Sequence, residues 1–118
     1  MPEGAALVAA GFRDGLWPDV LSTELLDRAI ADAGLPPTPV VVVSADLHCA
    51  WFSGAALEAL GVEHRTGLLR EAEWMTLMGH VDRVPSAVLD AWVDDAAAAA
   101  ARQGVVGIVD LAIADNLD

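Results

Sequence analysis

Lysine is absent from this chain, and its six basic residues, all arginine, are scattered among eighteen acidic ones. The net charge of -12 leaves no basic face to neutralise phosphates, which excludes nucleic acid and anionic membrane surfaces as partners. Cysteine occurs once, at Cys49, so no internal disulfide can form. That fits a reducing compartment without requiring one. No apolar run approaches the length of a membrane span. No basic segment followed by an apolar stretch opens the chain, so no signal peptide is visible and a cytoplasmic location is expected. A parent protein could still carry a signal upstream. HxH, HExxH, CxxC, phosphate-loop and dinucleotide fingerprints are all missing. Asp90, Asp94 and Asp95 lack the loop and glycine of a calcium site and read as a solvated helix face.

What is present is a chain of 118 residues, 55% hydrophobic, enough for one small domain with a core. Much of the apolar content is alanine, so the core depends on leucine, valine and four tryptophans. Ala5 to Phe12 reads as a strand or irregular extended segment, followed by turns at Asp14-Gly15 and Trp17-Pro18-Asp19. Ser22 caps a helix that runs to about Ala33 and stops at Gly34. Leu35 to Pro39 holds three prolines and forms a rigid linker. Val40 to Val43 is a β-branched run, apolar on both faces, as in a parallel sheet covered by helices. Further helices are expected at Gly54 to Leu60, at Leu69 to Met78, and from Pro85-Ser86 to about Gln103. The last carries an apolar stripe of Leu89, Trp92, Val93, Ala96 and Ala100. After Gly104, Val105 to Leu111 reads as a second strand, completing half of a βαβ crossover. The fold class is α/β.

Ligands in parallel α/β sheets sit at the C-terminal ends of strands. That rule directs attention to Ser44 through Trp51, to Asp110, and to Thr66 through Glu71. Each has an ordinary alternative. His48 can be a hydrogen-bonded structural residue, Glu71 can complement a helix N-terminus, and Asp110 can cap a turn. His64 and His80 read as surface residues. Cys49 reads as a buried thiol, since no neighbouring base would activate it.

Pro39 to Leu60, with Asp46-Leu47-His48 and then Trp51, resembles a signature of the amidohydrolase 3 family. The branch is the YtcJ-like one, which includes N-substituted formamide deformylases and AepA-type exoenzyme regulators. Thr66-Gly67-Leu68-Leu69-Arg70-Glu71 is similar to that branch's Thr-Gly-Leu/Val-Leu-x-Glu motif. Gly104 to Asp110 resembles a later strand of the family, and Gly11 to Trp17 fits its upstream positions. Two departures stand out. Leu47 replaces the usual glycine of Asp-Gly-His, and Phe52-Ser53-Gly54 replaces Asn-Ser.

The resemblance implies that the chain is a partial (βα)-barrel segment with mostly helical connections and a small parallel sheet. Residues 1–38 would form an N-terminal segment with one helix and a Pro-rich linker, and 39–118 a strand-helices-strand unit. It implies a parent hydrolase in which a divalent metal, usually zinc, activates water to cleave an amide-type carbon–nitrogen bond of a small-molecule substrate. Glu71 would be a metal ligand. Asp46, His48 and Trp51 would line the substrate pocket. The family's HxH pair, later histidines and catalytic aspartate would lie before Met1 and after Asp118, so the isolated chain is expected to be inactive and metal-free. Strand edges meant for the rest of a barrel imply a homodimer of the segment. The rival expectation is an independently folding, non-catalytic α/β module with a binding or regulatory role.

Overall fold

The computed structural model describes residues 6–13, 15, 17–81 and 84–109. The chain divides into two compact units, one reaching Val84 and one beginning at Pro85. In the first unit, β1 (Leu7–Phe12), β2 (Val40–Ser44), β3 (Cys49–Phe52) and β4 (Leu68–Arg70) form one sheet in the order β1-β2-β3-β4. Helices α1 (Thr23–Asp32), α2 (Gly54–Leu60) and α3 (Ala72–Val81) connect or follow these strands.

The sheet is mixed. β1 and β2 run parallel, with α1 between them in sequence, while β2/β3 and β3/β4 are antiparallel. The expected small parallel sheet is therefore confined to one strand pair, and among the described residues the sheet is open. The reason is local. Four residues separate Ser44 from Cys49, enough for a hairpin and far too few for a parallel crossover. Leu69 and Arg70, expected to open a helix, belong instead to β4 (Leu68–Arg70), and α3 begins at Ala72. A three-residue strand carries too little period to be told from a helix start, and its pairing with Cys49, Ala50 and Trp51 decides the matter.

Alternation along β2 and β3 sorts the core into two layers. Val41, Val43, Ala50 and Phe52 pack with Ala56 and Leu57 of α2 and with Trp74 and Val81 of α3. Val40, Cys49 and Trp51 pack with Phe12, Leu21 and the α1 residues Leu26 and Ile30. This is the doubly covered, continuously apolar strand that Val40 to Val43 foretells.

Ser53 ties several elements together. It is fully buried, and its Oγ accepts from Val40 N at 2.8 Å and from Ala56 N at 3.2 Å while donating to the Thr38 carbonyl at 2.9 Å. One hydroxyl thus caps α2 and anchors the start of β2. Gly67, at φ 73°, allows a second close approach: a Cβ there would collide with Thr23 Oγ1 and the Phe52 carbonyl.

In the second unit, α4 (Ser86–Arg102) matches its expected bounds, and Gly104 follows it at φ 84°. None of its residues is buried. Leu89, Trp92 and Val93 are exposed, as are Asp90, Asp94 and Asp95. Val105 to Val109, expected as a strand, has no regular structure and is exposed throughout. Asp110 and Leu111 lie outside the described residues.

Candidate functional site

The topology brings four chain segments to one edge of the sheet. β1 and β2 end there, antiparallel β3 begins there, and β4 ends there. Phe12-Arg13, Ser44 to Asp46, His48 and Glu71 consequently share that edge.

The Ser44–Cys49 loop is closed by its own side chains. The Ser44 hydroxyl donates to Asp46 Oδ1 at 2.5 Å, His48 N donates to the same oxygen at 3.0 Å, and Cys49 N donates to Ser44 Oγ at 3.1 Å. These donors, the Ser44 hydroxyl first, hold the Asp46 carboxyl below the usual aspartate range. Trp74 Nε1 on α3 pins the Leu47 carbonyl from outside, at 3.0 Å. Leu47 itself sits at φ 65°, a conformation that favours glycine. This is the position at which the resembled motif carries glycine.

Glu71 is the second non-glycine residue with a left-handed backbone, at φ 47°. It ends β4 and starts α3: its N–H donates to the His48 carbonyl at 2.8 Å, and its own carbonyl accepts from Met75 N at 2.9 Å. That bend directs its side chain to His48, with Nδ1 and Oε2 3.1 Å apart. Both side chains are exposed, at 57% and 69%. The hydrogen bond to Glu71, reinforced by its charge, raises the His48 pKa above its ordinary value. Strained, non-glycine backbone recurs at functional sites, and here one such residue, Leu47, precedes His48 and the other is its partner Glu71.

Asp46, His48 and Glu71 are thus gathered at one edge. Trp51 is not: it lies within β3, buried at 7% exposure, and its Nε1 donates to the Ser22 carbonyl at 2.9 Å. Cys49 is buried, as expected. His64, expected on the surface, is partly buried. Its Nδ1 accepts from Gly67 N at 2.9 Å and so shapes the Thr66-Gly67 turn. Nothing in its polar surroundings in the sequence gave a signal of that role.

A zinc site takes three or four protein ligands. Among the described residues no three His, Cys, Asp or Glu side chains form a group that could hold a metal. His48 and Glu71 offer two converging donors, and Asp46 Oδ1 is already engaged by two protein donors. The described residues alone therefore do not fit a zinc ion. Comparison of the chain with family models, curated proteins and solved structures gives no match.

Proposed function

We propose that this chain supplies part of the substrate- and metal-facing edge of an amidohydrolase-type enzyme, a hydrolase of amide-type carbon–nitrogen bonds. The observation that carries the reading is the convergence of His48 and Glu71. They stand 23 residues apart in separate motifs of the resemblance, yet their side chains meet at 3.1 Å. In this reading β1-α1-β2 is one wall segment of a (βα) barrel, and β3 and β4 are an antiparallel extension that carries His48 and Glu71 to its ligand end. Glu71 faces the metal, His48 and Asp46 face substrate, and Trp51 supports β3 from within. The remaining ligands, zinc being the metal the resemblance implies, come from outside the described residues.

The chain supplied with zinc, manganese or cobalt should therefore show no amide hydrolysis. Chelator-sensitive turnover that disappears in Glu71→Gln would overturn the partial-site reading and make this a complete enzyme. In a polypeptide that also carries the missing ligands, Glu71→Gln should abolish hydrolysis while His80→Ala leaves it intact. Equal activity of Glu71→Gln and wild type would reduce Glu71 to a bend residue.

A second reading, a non-catalytic α/β binding module, is favoured by the two apolar layers that the first unit closes on its own sheet. It predicts that His48→Ala and Glu71→Gln change nothing but local stability.

A further inference from the structure

The same edge holds a cavity of about 410 Å³ lined by Phe12, Arg13, Gly15, Ser44, Ala45 and Asp46. It lies where the sheet's two parallel strands end, the position at which α/β sheets take ligands, and its volume falls in the range of small-molecule pockets. Ala45 N donates to the Phe12 carbonyl at 2.9 Å, which joins the two strand ends that form its walls. Buried Phe12 contributes an apolar surface.

Among the described residues the lining carries one charge of each sign, and no hydrogen bond or ion pair is described for the Arg13 side chain. Among the described residues no carboxylate pairs with Arg13, although the chain has eighteen acidic and only six basic residues. Asp46, opposite in charge, uses Oδ1 for Ser44 and His48, and among the described residues no donor reaches Oδ2. The loop bonds therefore fix this carboxylate while leaving one oxygen available.

We propose that the cavity binds a small dipolar ligand, with a carboxylate at one end held by Arg13 and an ammonium or amide N–H at the other facing Asp46. A guanidinium is suited to a carboxylate through paired N–H donors, and the free Asp46 oxygen accepts from nitrogen. This deepens the proposed function by naming a substrate class. It rests on that reading only for the edge at which the site lies.

The test is a titration of the isotope-labelled chain with 4-aminobutanoate, butanoate and butylammonium, followed by amide chemical shifts. The dipolar probe should shift the Arg13, Ala45 and Asp46 amides and bind roughly tenfold more tightly than either single-charge probe. Arg13→Gln, an exposed substitution clear of the loop's internal bonds, should erase that advantage. Equal binding of the three probes, no binding of any, or an advantage that survives Arg13→Gln would overturn the proposal. A separate zinc titration read at His48 and Glu71 reports on the amidohydrolase reading, so the two can fail independently.

Discussion

At the scale of single residues, backbone strain and one hydrogen bond define the site. Leu47 occupies a left-handed conformation that costs an L-residue about 1–2 kcal/mol, part of which glycine recovers before its own chain entropy is counted. Leu47→Gly should therefore unfold in urea at wild-type stability or up to about 1 kcal/mol above it. A loss of several kcal/mol would mean that the Leu47 side chain, not its carbonyl, holds the loop.

The His48–Glu71 pair has a signed pH dependence. The folded-state pKa of His48 is raised, so its contribution to stability is fully present below the unfolded value of about 6.5 and is lost as pH rises through the folded value. Nuclear magnetic resonance titration should place the His48 pKa above ordinary histidine, and Glu71→Gln should return it. An unchanged midpoint in that variant would remove Glu71 as the cause. None of this pairing is legible in the sequence. His48 and Glu71 each stand out as candidates, but only the Cys49↔Arg70 register sets them side by side.

At the scale of elements, what is legible is what is locally determined. α1 carries its own Ser22 cap and Gly34 follows it, Gly61 ends α2 at φ 66°, and Gly104 follows α4, so those helices are visible in the residues that bound them. β3 and β4 have four and three residues, and their existence depends on partners elsewhere in the chain. Ser53 escaped notice for the same reason, since its partners Thr38 and Val40 come from the linker and β2. Ser53→Ala removes a cap and leaves the Val40 N–H and Thr38 carbonyl without their partner, which should cost about 2–4 kcal/mol in denaturant unfolding. Gly67→Ala should cost at least about 2 kcal/mol, because the added Cβ meets Phe52 backbone 2.9 Å away. Wild-type stability in Ser53→Ala would show that the α2–β2 joint is looser than its hydrogen bonds indicate, and in Gly67→Ala that the approach of β4 to Phe52 and Thr23 is looser than its geometry.

At the scale of the whole molecule, apolar surface is unevenly satisfied. The unit ending at Val84 buries two clusters against its sheet, while the unit from Pro85 exposes Leu89, Trp92, Val93, Val106, Ile108 and Val109. A net charge of -12 opposes aggregation without hiding that surface. The chain should accordingly form a homodimer in sedimentation equilibrium at low micromolar concentration, and Trp92→Ser should weaken the association. A strict monomer would show that these side chains do not drive pairing.

The central claim is that Glu71 and His48, brought together from two motifs, belong to one site, with Glu71 a metal ligand and His48 beside it on the substrate side. Its most direct test is a zinc titration of the chain followed at the His48 imidazole and the Glu71 carboxylate. Glu71 alone cannot complete a four-coordinate site, so the account predicts weak binding at Glu71 that also perturbs His48 at its side and disappears in Glu71→Gln. Zinc shifts that leave His48 and Glu71 unmoved, or that persist unchanged in Glu71→Gln, would contradict it.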